Sequence, residues 1–286
     1  MLGHRLVRHF AKQQRVAAVL RPGTRPERLH RVLSDAHVIQ IPELNAGAVE
    51  RLLDDVGPQV VINAAGLIKQ RPNASDAVAM IEANAVLPHR LAAACRSRRI
   101  RLIHVSSDCV FSGQRGNYAE TDVTDADDLY GRSKALGEPT GDGCLSLRTS
   151  IIGPEIGSAF GLLEWFRTRR GTTADGFAGV IFPGLPTIEV ARVIDKVIHQ
   201  HPALSGLYHL GATPISKHEL LDLINRRLDL RVTLRRVEHP KSDRSLDYSK
   251  FVAATGYAPV SWPELIDRMA RDEEEELSAA PRGVSA

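Results

Sequence analysis

The chain has 286 residues, 43% of them hydrophobic and 25% charged, with a formal net charge of +3. These are ordinary values for a globular protein with room for one large domain, alone or with a small second one. They exclude the basic footprint of a nucleic-acid binder, and no apolar run approaches the ~20 residues that span a bilayer.

In chain order, the patterning alternates between helix and strand. Leu2 to Gln14 reads as a helix, in which Arg5, Arg8 and Lys12 interrupt any signal-peptide core. Arg15 to Leu20 reads as a buried strand ended by Arg21-Pro22-Gly23, and His37 to Ile41 as a short strand. Ala48 to Val56 is helical and stops at Gly57-Pro58. Val60 to Asn63 is an apolar strand closing in Ala64-Ala65-Gly66. Ser75 to Arg99 has the pattern of one long helix, and Arg101 to Ser106 of a strand. Tyr130 to Glu138 then reads as a helix and Cys144 to Ile152 as a strand. This alternation predicts an α/β fold, a Rossmann-like doubly wound parallel sheet covered on both faces. Ligands of such sheets lie at the carboxyl ends of the strands. Asn63, Ser107, Asp108 and Thr149 fall there.

After Gly153-Pro154 the pattern loosens. Leu162 to Arg169, Ile188 to His199 and Lys217 to Leu228 read as helices. Val180 to Phe182, Leu207 to Leu210 and Val232 to Val237 read as short strands. Residues 1–153 are thus expected to form a nucleotide-binding domain. Residues 154–275 form a smaller mixed α/β lobe whose strands can return to the main sheet. A disordered tail is expected over 276–286, behind the acidic run Arg271 to Glu276. Cys95, Cys109 and Cys144 suit neither a disulfide framework nor a zinc site, so a reducing, cytoplasmic setting is expected. The histidines show no ligand spacing, and no metal site is expected.

Chemistry concentrates in Tyr130-Gly131-Arg132-Ser133-Lys134, where a phenol and an ammonium share a helix face. A phenol titrates near 10, and a neighbouring cation brings it toward working pH. The strand end Ser106-Ser107-Asp108 precedes it and can hold a carbonyl oxygen while Tyr130 donates a proton. Asn63-Ala64-Ala65-Gly66 supplies small residues against which a ligand can lie.

Taken together, Asn-Ala-Ala-Gly, Ser-Ser-Asp-Cys-Val-Phe-Ser-Gly, Tyr-Gly-Arg-Ser-Lys, Leu-Arg-Thr-Ser-Ile-Ile-Gly and Gly184-Leu185-Pro186-Thr187 resemble the dTDP-4-dehydrorhamnose reductase branch of the extended short-chain dehydrogenases. The resemblance implies reduction of a 4-keto group on a nucleotide-linked deoxysugar by a nicotinamide cofactor, with Ser107, Tyr130 and Lys134 as the catalytic set. It implies that Lys134 binds the nicotinamide ribose and tunes Tyr130, and that Asn63, Ala64, Ala65 and Gly66 lie along the cofactor. Phe111, by family position, walls the sugar pocket, with Asp108 beside it. Related dehydrogenases use an Asn in the long helix to hold a water in a proton relay. Pro88 cannot donate to the carbonyl of Asn84, so a kink is expected that leaves this carbonyl free, and Asn84 is the candidate for that role.

The family opens with a strand and a T-G-x-x-G-x-x-G loop that cradles the pyrophosphate. This sequence begins Met1-Leu2-Gly3 and runs directly into the helix, with Gly3 matching the last glycine. Met1, Leu2 and Gly3 are the residues expected against the cofactor there. Two readings stay open. Met1 is an internal methionine of a longer frame carrying the strand and a Thr-Gly-x-x-Gly segment, or the chain is a shortened paralogue. Both predict two exposed strand edges and weak dinucleotide binding by the sequence as it stands.

Arg21, with Arg25, suits the 2′-phosphate of NADP(H) better than the ribose of NAD(H). Lys69, Gln70 and Arg71 can reach the cofactor or a diphosphate, and Arg244 can pair with a substrate phosphate. Trp165 and Trp262 suit either the core or stacking on a base. The partner expected is a nucleotide-diphosphate sugar, with no nucleic acid and no membrane; a homodimer is compatible with the sequence. A nucleotide-sugar epimerase or dehydratase with tightly held NAD is the alternative chemistry. Dehydratases typically carry Glu where Cys109 stands, which weighs against dehydration. A non-catalytic regulatory subunit, as in the relative that serves methionine adenosyltransferase, is the third reading.

Overall fold

A computed structural model describes residues 1–20, 24, 33, 36–41, 43–69 and 75–278. Helix α1 (Leu2–Ala11) turns Leu2, Leu6 and Phe10 inward at helical spacing. Strands β1 (Ala17–Leu20) and β2 (His37–Gln40) pair in parallel. The Asn45 side chain accepts the Ala48 N–H and so starts α2 (Ala46–Val56). It is followed by β3 (Val60–Asn63).

Over 75–99, where the sequence predicts one helix, the chain forms three pieces. These are α3 (Ala77–Ile81), a π-helical turn (Glu82–Val86) and α4 (Leu87–Ser97). Pro88 lies in the first turn of α4, where a missing N–H is harmless, and the widened turn absorbs the mismatch before it. Then come β4 (Arg101–Val105), a 3₁₀ turn (Asp108–Val110), α5 (Leu129–Leu136) and β5 (Cys144–Arg148). The predicted strand Cys144 to Ile152 is split. Ser150 gives its carbonyl to the Leu185 N–H, so β6 (Ile151–Ile152) leaves the main sheet.

The second half adds α6 (Leu162–Arg167), β7 (Thr173–Phe177), β8 (Val180–Phe182), β9 (Leu185–Pro186) and α7 (Thr187–Gln200). It continues with β10 (Gly206–His209), β11 (Ile215–Ser216), α8 (Lys217–Arg227), β12 (Thr233–Val237), β13 (Ser242–Asp243), α9 (Ser249–Thr255) and α10 (Trp262–Ser278). Strand β10 returns to the first half and pairs with β5, giving a parallel sheet of order β10-β5-β4-β3. Asn63, His104 and Ser146 stand side by side across it. Strand β6 pairs with β9, β7 with β12, and β8 lies between β11 and β13.

One face of the main sheet carries α1, α7 and α10 over a core that includes Leu6, Phe10, Leu145, Ile194 and Leu265. The other carries α2 and α4 over Val49, Leu53, Leu91 and Cys95. Among the described residues no ladder joins β1 to β3, so each has an open edge. The acidic run forms a helix face. Asp272 and Glu276 pair with the buried Arg5, Glu273 with Arg167, and Glu274 with Arg227. Helix α10 therefore reaches Ser278, into the segment expected to be disordered. No helix among the described residues is long and apolar enough to cross a membrane.

Candidate active site

The carboxyl end of β4 and the first turn of α5 bring the predicted residues together. Ser107 has extended backbone and caps the 3₁₀ turn. Its Oγ accepts the Cys109 N–H at 3.1 Å and donates to Asp108 Oδ1 at 3.2 Å. Asp128 caps α5 by accepting the Gly131 N–H at 2.7 Å. Its other carboxylate oxygen accepts a hydrogen bond from Lys69 Nζ at 3.1 Å. Lys69 therefore braces the cap of this helix. A side chain at Gly131 would collide with the Cys109 carbonyl, so glycine lets α5 lie against the 3₁₀ turn. That approach packs the first turn of α5, which carries Tyr130, against the 3₁₀ turn that Ser107 caps. Lys134 is buried, and its Nζ donates to the Val105 carbonyl at 2.9 Å.

Burial governs the charges here. It pushes the Tyr130 phenol well above its ordinary value, Cys109 and Asp108 push the same way, and the Ser107 hydroxyl opposes them. The expectation that Lys134 brings this phenol toward neutrality is corrected by desolvation, with the ammonium itself directed at Val105. Tyr130 is therefore a phenol at neutral pH, the form that can donate a proton. Burial lowers Lys134 to about 8, while the Glu138 carboxylate pulls it back up. Burial raises Asp108, against the pull of Arg244, and pushes the Cys109 thiol up to about 12.

The loop after β3 is held from both sides. Asn63 Oδ1 accepts the Ala65 N–H at 3.1 Å, and its Nδ2 faces His104 Nδ1 at 3.0 Å. Asn84 Oδ1 accepts the Leu67 N–H at 2.9 Å, and its Nδ2 donates to the Leu67 carbonyl at 3.0 Å and to Ser133 Oγ at 3.2 Å. The Asn84 carbonyl lies against α5. The backbone of Gly137 packs on it so closely that any side chain at 137 would collide. The side chain of Asn84 thus ties the Ala64-Ala65-Gly66 loop to α5.

Phe111 is also corrected. Its ring is fully buried, stacked 4.1 Å from Tyr118 with the Arg148 guanidinium 5.0 Å from its centroid, so it belongs to the core. Its backbone carbonyl accepts Arg244 Nε at 2.8 Å. Leu2 is likewise a core residue, whereas Gly3 is exposed with nothing within 4 Å of where a Cβ would stand. Met1 approaches Gly161 through its side chain. Trp262 is buried and donates to the Thr213 carbonyl at 2.7 Å; Trp165 packs partly buried against the core. Arg21, Arg25, Gln70 and Arg71 lie outside the described residues. Among the described residues no group of His, Cys, Asp or Glu is arranged to hold a metal ion.

Two features were not foreseen. Glu138 pairs with Arg148 at 2.7 Å, almost wholly buried, and accepts Ser106 Oγ at 2.6 Å. Lys217, at the start of α8, lies within electrostatic reach of Asp108 and Cys109. The box Ser216-x-x-Glu219 marks that helix start in the sequence, but nothing in it says what lies near Lys217.

Comparison with known proteins agrees with this layout. A family model described as RmlD substrate binding domain matches residues 1–273. A dTDP-4-dehydrorhamnose reductase of Aggregatibacter actinomycetemcomitans is 29% identical over 179 residues, covering 59% of this chain and 61% of the relative. The chain spans about three fifths or less of the first curated relatives it matches. Among solved structures, the Bordetella bronchiseptica enzyme WbmG in complex with NAD and UDP superposes with a TM-score of 0.78 at 20% identity, covering 100% of this chain and 96% of that one. A Bacillus anthracis dTDP-4-dehydrorhamnose reductase in complex with NADP gives 0.71 at 20% identity, covering 87% and 92%.

Proposed function

Because the chain belongs to the RmlD substrate binding domain family, we propose that it is an NAD(P)H-dependent oxidoreductase that reduces the 4-keto group of a nucleotide-linked deoxysugar. The observation that carries this reading is the convergence of Ser107, a protonated Tyr130 and a buried Lys134 at one strand end. Ser107 holds the carbonyl oxygen of the sugar, and Tyr130 delivers a proton to that oxygen as it becomes an alcohol.

The residues present fit the nicotinamide end of the cofactor. Lys134 has three N–H donors and the carbonyl of Val105 takes one of them. It lies on α5, the helix to which Asn84 ties the loop of small residues Ala64, Ala65 and Gly66. The bound cofactor supplies the hydride. Arg21 favours NADPH, and NADP is what the Bacillus anthracis relative holds. Residues 1–153 are assigned to the cofactor and 154–275 to the sugar nucleotide, with Arg244 as its anion contact.

The test is NADPH oxidation with dTDP-4-keto-6-deoxy sugars. Consumption of one NADPH per keto group lost is expected. Tightly copurifying NAD without net NADPH consumption would instead indicate an epimerase. Neither outcome would leave a non-catalytic binding protein.

A further inference from the structure

On β4, His104 lies opposite Asn63 of β3 in the parallel register, with Ser146 of β5 on its other side. Side chains alternate between the faces of a strand. The three therefore share the face that packs under α2 and α4, together with Val61, Leu102 and Cys144. His104 is fully buried there. The Ser146 hydroxyl is donated to the Pro139 carbonyl at 2.7 Å. Among the described residues the hydrogen-bond partner of the His104 ring is Asn63.

The direction of that bond is fixed from the Asn63 side. Asn63 Oδ1 accepts the Ala65 N–H at 3.1 Å, so its amide nitrogen is the atom that points at His104. An amide nitrogen only donates, and His104 Nδ1 must therefore accept at 3.0 Å, with the ring proton on Nε2. Only a neutral ring can do so. Burial holds His104 neutral, and the charges of Lys134 and His89 act in the same sense. Nε2 is buried and has no hydrogen-bond partner among the described residues. An apolar side chain here would avoid that unpaired N–H. Packing alone thus does not account for a histidine at this position, whereas its acceptor does.

We infer that His104 is a positioning residue: its Nδ1 holds the Asn63 amide in the orientation that lets Oδ1 fix the Ala65 N–H, and so sets the Ala64-Ala65-Gly66 loop for the cofactor. The cofactor part of this rests on the reductase reading above.

Two variants of the full chain separate the acceptor from the ring. His104→Asn and His104→Leu both remove the ring, but the amide oxygen of the first stands close to the place of Nδ1, and the second has no acceptor. Amide hydrogen exchange without cofactor reads the Ala65 N–H directly, and NADPH titration reads the use of the loop. Exchange at Leu145 in β5, read in the same samples, corrects for a general loss of stability. His104→Leu should lose about tenfold or more in protection at Ala65 and a similar factor in NADPH affinity. His104→Asn should stay within about threefold of the parent in both. Adding His104→Leu to Asn63→Ala should change little further, because the two side chains act as one unit. His104→Val, which suits a buried strand, makes the same comparison if the Leu variant does not fold. Equal losses in the Asn and Leu variants mark a packing role and overturn the assignment, as does parent-like protection at Ala65 in His104→Leu. Lost protection with unchanged NADPH affinity overturns the link to the cofactor. A parent that binds neither NADPH nor NADH overturns the reductase reading and the cofactor part with it, while exchange at Ala65 still decides the contact.

Discussion

Glu138 accepts two parallel hydrogen bonds from Arg148, 2.9 Å from Nε to Oε1 and 2.7 Å from Nη2 to Oε2, with both side chains almost wholly buried. Oε1 also takes the Ser106 hydroxyl, one residue before Ser107. Arg148 in turn meets His209 Nε2 at 3.3 Å and lies over the Phe111 ring. The pair thus joins the end of α5 to β5, and the Ser106 hydroxyl ties it to the end of β4. Arg148→Met would leave Glu138 buried and uncompensated, at a cost of about 3–5 kcal/mol. The double variant Glu138→Gln/Arg148→Met should lose clearly less than the sum of the single losses. Urea unfolding at neutral pH measures this, and strict additivity would show that the two side chains are not coupled.

Lys134 gives the reaction an alkaline limit. Burial holds it at about 8 against an ordinary 10.5, so its ammonium is lost as pH rises through about 8. The rate with saturating sugar should fall across that range. The Glu138 carboxylate holds the value up, so Glu138→Gln should move the falling limb to lower pH. The stability effect has the opposite sense. The native state binds fewer protons than the unfolded chain between about 8 and 10.5, so stability rises with pH across that window. A pH–rate profile whose alkaline limb does not move in Glu138→Gln would separate the two groups.

Much of this arrangement is legible in the sequence because it is local. Asn63, Ser107, Tyr130 and Lys134 follow from strand ends and one helix period. The remainder depends on long-range contacts. Glu138 reads as the polar end of a helix until Arg148 is placed opposite it on β5. Phe111 reads as a pocket wall until Tyr118 and Arg148 cover its faces. Glu276 reads as the start of a tail because Arg5, its partner, is more than two hundred positions away. Pro88 marks an irregularity correctly, but sequence cannot say whether a kink or a π-helical turn absorbs it.

Tyr130→Phe should abolish reduction while leaving cofactor affinity nearly unchanged. On the proposed mechanism the phenol oxygen acts on the substrate, whereas Lys134 and the backbone hold the cofactor. General acid catalysis is worth about 10²–10⁴-fold. Single-turnover NADPH oxidation alongside a cofactor titration separates the two effects. Near-normal turnover by this variant would remove Tyr130 from the mechanism.

Arg21 follows β1 and lies outside the described residues, so this expectation rests on the sequence alone. NADPH should bind more tightly than NADH, and Arg21→Asp should erase or reverse the preference. Charge-assisted bonds to the 2′-phosphate contribute about 1.5–3 kcal/mol, roughly ten- to a hundredfold in relative affinity. Arg25 can share the contact, and salt screening reduces it. An unchanged NADPH/NADH ratio after the substitution would return Arg21 to an ordinary surface turn.

Asn84 distinguishes two roles for the irregular helix. As a clamp, its side chain satisfies both the N–H and the carbonyl of Leu67 and reaches Ser133, so it fixes the loop that runs along the cofactor. As a relay residue it would hold a water on its backbone carbonyl, beside the Gly137 backbone. Asn84→Ala removes the clamp and leaves two part-buried backbone groups short of partners, each costing about 1–3 kcal/mol if water does not replace the lost bonds. The loop should loosen and the KM for NADPH should rise by about tenfold or more. At saturating cofactor the loop is held by the ligand, so kcat should stay within about threefold. A relay predicts the reverse pattern: kcat falls, the cofactor KM hardly moves, and the solvent isotope effect on turnover changes. Steady-state kinetics in H₂O and D₂O for the parent, Asn84→Ala and Asn84→Asp therefore decides between them. A drop in kcat with an unchanged KM would overturn the clamp.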